Sequence, residues 1–367
     1  MNEWYRIFEE DALDTPGVVV YRDRIKANIN TLIHSVDDVS RLRPHIKTHK
    51  SPDVTRMLLD AGVRKFKCAT LAEAEMLGVA GAPDVLFAHQ AVGPKVQLLR
   101  ELTRRFPGTS YSTIVDNTTT AASLNAVFAD GPPLPVFIDL NVGMDRTGVA
   151  PELALPLCRA VATLPHVLFK GLHAYDGHLR DADYGVRRAR CDEMFARVVS
   201  LQEECEHICA GSLTIVAGGT PTYSIHRHRM NVECSPGTFI YWDKGYEDVL
   251  GEQQYLHAAL VVSRVVSIPR EGLVCVDLGH KAIASESALE KRVSFLNAPG
   301  LTAIGHSEEH LVLEITDGAA YHVGDLLYGV PFHVCPTIAL HDQATVVSDG
   351  RVVAHWHTTR HRSIEQQ

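Results

Sequence analysis

No run of apolar residues in this chain of 367 residues approaches the length of a bilayer span, so no membrane-crossing helix is expected. The excess of positive charge that a nucleic-acid partner demands is also missing, since the formal net charge is −9. A local basic pocket for a phosphate is still allowed. The opening Met1-Asn2-Glu3-Trp4-Tyr5 is polar and acidic and lacks the look of a secretory signal. Eight cysteines are present, but none forms a CxxC pair. That spacing argues against a disulfide framework and for a reduced, cytoplasmic setting. Low-complexity segments, internal repeats and Pro/Gly-rich linkers are absent too.

What is present reads as an ordinary globular chain, 46% apolar and 22% charged. Short β-like runs alternate with helical stretches up to about residue 250. The expected strands are Arg43–Lys47, Val63–Cys68, Asp84–Ala88, Tyr111–Val115, Leu134–Leu140, Val167–Ala174, Leu213–Ala217 and Asn231–Cys234. Helices are expected between them, with Pro94 and Pro151 in first turns and Asp116-Asn117 as a cap. The alternation predicts an α/β fold, a (β/α)8 TIM-type barrel over residues 16–250. Beyond it, strand-like runs follow without long helices, which predicts a second, mainly β domain over 251–367, with residues 1–15 packed on it. Thr337–Leu340 is among its expected strands.

Several segments carry chemistry. Arg43-Pro44-His45-Ile46-Lys47-Thr48-His49-Lys50 is short and basic, at the end of the first expected strand. A lysine there can form a Schiff base with an aldehyde cofactor, and neighbouring cations and desolvation help its amine react at neutral pH. The alternative is a basic surface loop. Gly218-Gly219-Thr220 follows the seventh strand, where barrels often hold a phosphate, and Ser235-Pro236-Gly237-Thr238 follows the eighth. Two such turns, offering backbone N–H groups and hydroxyls, predict a shared phosphate cup. His333 and Cys335 are two apart, so in an extended segment they face one way as imidazole and thiolate ligands suited to zinc. His355, His357 and His361 read instead as a solvated tail, and Cys205 and Cys209 as small apolar residues of a helix.

Together the chain resembles the fold-type III enzymes that use pyridoxal phosphate, and more closely the D-threonine aldolase and D-serine dehydratase group. The resemblance is carried by Pro44–Lys50, Asp139–Gly148, Tyr175-Asp176-Gly177-His178, Gly218-Gly219-Thr220, Pro236-Gly237-Thr238 and His333-Val334-Cys335-Pro336-Thr337. It implies Lys47 as the Schiff-base residue, with Lys50 as the competing position. The strand-end location also favours Lys47 over Lys50. By the same resemblance Arg146 meets the cofactor's phenolic oxygen, and its alternative is an ion pair with Asp145 or Asp139. Tyr175 meets the pyridine nitrogen, and the metal pair is His333 and Cys335.

The implied activity is a metal-assisted lyase reaction on small β-hydroxy-D-amino acids, either retro-aldol cleavage or dehydration, in a homodimer. Cys335 leans towards dehydration, whereas overall similarity leans towards the aldolases. An amino-acid racemase of the same fold is the rival, with Tyr321 and Tyr328 as its acid–base candidates. A non-catalytic cofactor carrier would lack the hundred or so residues after 250.

Overall fold

The computed structural model describes residues 3–209 and 211–362. The first strand, β1 (Gly17–Tyr21), belongs to the β unit described below. Seven further strands form one wholly parallel sheet in chain order: β2 (Lys65–Cys68), β3 (Asp84–Phe87), β4 (Ser110–Val115), β5 (Leu134–Leu140), β6 (Val167–Ala174), β7 (Thr214–Ala217) and β8 (Val232–Cys234). Their burial is nearly continuous, as parallel strands covered on both faces require.

Helices alternate with the strands, and local chemistry starts them. Thr70 accepts from the Glu73 N–H at 3.2 Å while Glu73 reaches back to the Ala69 N–H at 2.7 Å, a capping box that opens the helix Leu71–Val79. Asn117 caps Thr118–Val127 through the Thr120 N–H at 2.8 Å.

The expected strand Arg43–Lys47 is not regular, and the eight-stranded barrel is only partly closed. Isolated parallel bridges join Leu42 to Cys234 and His45 to Lys67, so the segment 42–45 touches both edges of the seven-stranded sheet. Pro44 between them has no N–H to give to a ladder. Its carbonyl accepts from Lys67 N at 2.9 Å, while Arg43 N and His45 N donate to Cys234 O and Pro236 O at 2.8 and 2.9 Å. The Arg43 side chain, 2% exposed, bonds Glu233 at 2.7 Å and Asp84 at 2.6 and 3.1 Å. A turn of 3-10 helix, Ile46–Thr48, follows.

The chain divides into two compact units. One is built from Ile33–Lys47 and Val54–Gly237; the other takes the N-terminal segment to Leu32, Thr48–Asp53 and Thr238–Arg360. The second unit is mainly β, with β9 (Ala259–Ser267), β10 (Leu273–Val276), β11 (Val293–Phe295), β12 (Leu301–His306), β13 (Leu311–Ile315), β14 (Leu326–Pro331), β15 (Gln343–Ser348) and β16 (Arg351–His357). β1 lies between β9, antiparallel, and β15, parallel. Tyr5, Ile7 and Leu13 join Val19, Leu260, Val262 and Tyr328 in its apolar core. The expected strand Thr337–Leu340 is instead part of a helix, Val334–Ala339. No helix among the described residues is long and apolar enough to cross a membrane.

Candidate active site

Distant motifs of the parallel-sheet unit meet at Tyr175, just past β6. Lys47 Nζ lies 5.7 Å from its ring centroid, Lys67 Nζ 5.4 Å and the Arg146 guanidinium 5.1 Å, all in cation–π range. Lys47 sits in the 3-10 turn rather than at a strand end. Lys50 takes a positive φ of 48°, and its carbonyl accepts from Thr359 N in the other unit's own residues.

Arg146 is delivered by a pinched loop. Asn141 N bonds Val149 O at 2.9 Å and Val149 N bonds Asp139 O at 3.0 Å. Gly148 must close it: its φ is +96°, and a Cβ there would lie 2.5 Å from Asn141 N. Asp145 is held by Asn141 at 2.9 Å and Asp139 by His173 at 2.7 Å, so neither carboxylate is spent on Arg146 in those bonds. His178 packs against Gly143, and its Nδ1 is buried without a hydrogen-bond partner.

The two small-residue turns are joined to each other. Ser235 N donates to Ala217 O and Gly218 O, both at 3.1 Å, and Gly237 N to Thr220 Oγ1 at 3.2 Å. Gly219 lies against Tyr175, where a Cβ would come within 2.7 Å of the ring. Ser235 Oγ is buried with no partner. Thr238 opens a turn of the β unit, its hydroxyl 3.8 Å from Cys335 Sγ.

Two buried networks escaped the sequence reading. In the first, Lys67 Nζ lies 3.5 Å from His173 Nε2, and His173 Nδ1 lies 2.7 Å from Asp139 Oδ1. Burial, then the Lys47 charge, depresses Lys67 to about 7. Burial also lowers His173. Burial acts to raise Asp139, but the His173 hydrogen bond outweighs it and holds the carboxyl below its usual range. The available signal was a lysine between Phe66 and Cys68 in so short a strand.

In the second network, Asp176, Cys191 and His226 bring their ligand atoms within 4.8 Å of one another, a buried set that could hold a metal. Hydrogen bonds also account for it. Arg229 donates to His226 Nδ1 at 2.6 Å, which leaves the proton on Nε2, 2.8 Å from Asp176, and Thr222 donates to Asp176 at 2.7 Å. An ion on Nε2 would force the proton to Nδ1, against the arginine.

In the β unit, His333 and Cys335 do not share the face of an extended segment. His333 is the N-cap residue and Cys335 lies in the first turn of Val334–Ala339. The helical turn nevertheless keeps them as neighbours. Burial opposes a charged imidazole, but Cys335 and Glu286 beside it outweigh burial and push His333 up to about 9. Glu286 bonds His333 Nδ1, and Thr48 Oγ1 lies 3.1 Å from Cys335 Sγ. Tyr328 is buried, its hydroxyl donating to Glu10 at 2.7 Å.

Against this geometry stand the known relatives. A family model described as "Alanine racemase, N-terminal domain" matches residues 20–244, and one described as "Putative serine dehydratase domain" matches 258–347. The chain is 31% identical over 357 residues to a D-threonine aldolase of Arthrobacter sp, covering 94% of this chain and 92% of that protein. It is 26% identical over 352 residues to a D-threo-3-hydroxyaspartate dehydratase of Delftia sp., covering 89% and 92%. The crystal structure of a D-threonine aldolase from Filomicrobium marinum superimposes with a TM-score of 0.85 at 28% identity, covering 96% of each chain.

Proposed function

We propose, from the premise that this chain belongs to the family of the alanine racemase N-terminal domain, that it is a pyridoxal-phosphate-dependent, metal-assisted lyase acting on β-hydroxy-D-amino acids. One observation carries the reading: Lys47 and Arg146, from separate motifs, converge on Tyr175, which stands beside the Gly218-Gly219 turn. These residues fit a phosphorylated aromatic aldehyde. The orphaned, buried Ser235 Oγ and the linked glycine turns suit its phosphate, and an amine stands near an aromatic face.

In this reading Lys47 bonds the aldehyde carbon within the 16–250 segment. Gly218, Gly219, Thr220, Gly237 and Thr238 take the phosphate, Arg146 the phenolic oxygen and Tyr175 the ring nitrogen. When bound, the cofactor supplies a sink for the electron pair left on the substrate's α-carbon. His333 and Cys335, in the 251–367 segment, are the residues to hold a divalent ion, and a thiolate favours zinc. There the ion would supply Lewis-acid polarisation of the β-hydroxyl. Lys47 Nζ is the group to take up the α-proton if water is eliminated.

Retro-aldol cleavage is the first reading, on the 31% identity to a D-threonine aldolase. Cys335 beside His333 supports dehydration as the second. Racemisation loses one of its acid–base candidates, since the Tyr328 hydroxyl is committed to Glu10. Incubation with a panel of D-3-hydroxy amino acids, with products identified by mass spectrometry, tests all three. Glycine plus an aldehyde supports the first and a keto acid plus ammonia the second. Loss of α-carbon chirality alone would overturn the lyase proposal.

A further inference from the structure

Lys67 belongs to none of the motifs, yet it is among the least expected groups of the site. It is 2% exposed on β2 and held in place by its backbone bond to Pro44 O at 2.9 Å. Its amine lies 3.5 Å from His173 Nε2. An ionised carboxylate only accepts, so the His173 Nδ1 that meets Asp139 at 2.7 Å carries the hydrogen. Nε2 therefore turns its lone pair towards Lys67. Amine, imidazole and carboxylate stand in the order of a proton-carrying group, its base and the orienter of that base.

The geometry is fixed by strand ends, since Asp139 and His173 are register partners on β5 and β6. The same amine shares the Tyr175 ring with Lys47, at 5.4 and 5.7 Å from its centroid. The charged and titratable groups around Lys67 are Lys47, Asp176, Asp139 and Arg43, with Tyr175 and, over the same ring, Arg146, and with His173 as its hydrogen-bond partner.

We infer that Lys67 is a positioning residue for Lys47: holding or releasing one proton against the His173–Asp139 pair, it sets the charge beside which the Lys47 amine bonds an aldehyde. The inference rests on the reading that Lys47 takes pyridoxal phosphate. In that step the neutral Lys47 nitrogen forms a bond to the aldehyde carbon, the carbonyl oxygen leaves as water with the two amine hydrogens, and one proton taken up from solvent gives the C=N product its positive charge. Beside Arg146, which lies over the same ring, a charged Lys67 adds a further cation that opposes that product, and a neutral Lys67 does not. At an effective dielectric of about 20 and a separation of roughly 10 Å, the opposition is worth about tenfold in affinity.

The test titrates apoprotein with pyridoxal phosphate, following the visible absorbance of the lysine-bound form, from acidic to mildly alkaline pH. Wild type, Lys67→Met and Lys67→Arg are compared, so the cofactor's own pH behaviour is common to all. Wild-type affinity is expected to rise about tenfold more than either variant's around pH 7, where Lys67 titrates. Lys67→Met is expected to bind tightly throughout and Lys67→Arg weakly throughout. Superimposable pH profiles overturn the inference, even if stability changes. Should Lys67→Met fail to fold, nitrogen-15 NMR of histidine-labelled wild-type apoprotein decides. The His173 ring signals are expected to shift across the same pH step, and flat signals overturn the inference. Lys47→Ala is the control: colour that persists there overturns the underlying reading instead.

Discussion

Burying an amine at position 67 has a thermodynamic cost that pH reveals. Burial takes Lys67 from the ordinary lysine value of 10.5 down to about 7, so between those values the unfolded chain binds more protons than the folded one. Its penalty stands in full below about pH 7 and is relieved as pH rises towards 10.5, by up to about 1.4 kcal/mol per pH unit. Lys67→Met apoprotein is therefore expected to exceed wild type in stability most at pH 6 and least at pH 10, by urea unfolding; an equal difference at both would deny the depressed amine. Gly219→Ala works by shape, because its Cβ would come within 2.7 Å of the Tyr175 ring. The ring must move, at a cost of about 1–3 kcal/mol, and cofactor affinity is expected to drop about tenfold or more by absorbance titration. Lys47, Arg146 and Tyr175 each sit in a distinctive motif, which makes them candidates in the sequence, and the fold brings the two cations to the one ring. Lys67, His173 and Asp139 meet only because β2, β5 and β6 bring them together, and no spacing along the chain encodes that.

Strand boundaries show where local pattern suffices. Leu134–Leu140 and Val167–Ala174 were expected with the bounds they have, since both are long apolar runs between turn signals. Gly17–Tyr21 is a strand that was not among those expected, and its pairing with strands more than 200 residues away has no local trace. Thr337–Leu340 looked like a strand from its β-branched residues, but Thr337 Oγ1 bonds back to His333 O at 2.8 Å inside a helix. The segment 42–45 failed as a regular strand because Pro44 interrupts donation and the Arg43 side chain carries part of the attachment. Removing that buried guanidinium takes away the cation that Asp84 pairs with and leaves Glu233 with Lys65 alone. Arg43→Met is expected to lose about 3–5 kcal/mol in chemical denaturation, whereas a surface replacement such as Arg188→Met stays within about 0.5 kcal/mol.

For the molecule as a whole, the alternation of strand and helix followed by strands alone was enough to separate a parallel sheet from a mainly β unit. The proposed metal sets the next expectation. Cys335→Ala and chelation are each expected to cut turnover at least about tenfold with the cofactor's visible band retained, and unchanged turnover after both would remove the metal from the reaction. The proposed homodimer predicts twice the chain mass, 40.4 kDa, by light scattering. The seam at residues 42–45 has its own corollary for how the chain acquires function. Arg43 meets Glu233 across 190 positions, a contact of high loop entropy that a folding chain closes late. Lys47 lies only four residues beyond Arg43. On the proposed reading, a nascent chain is expected to have its reactive amine in place only after Glu233 has been synthesised, with cofactor capture following the closure of that contact.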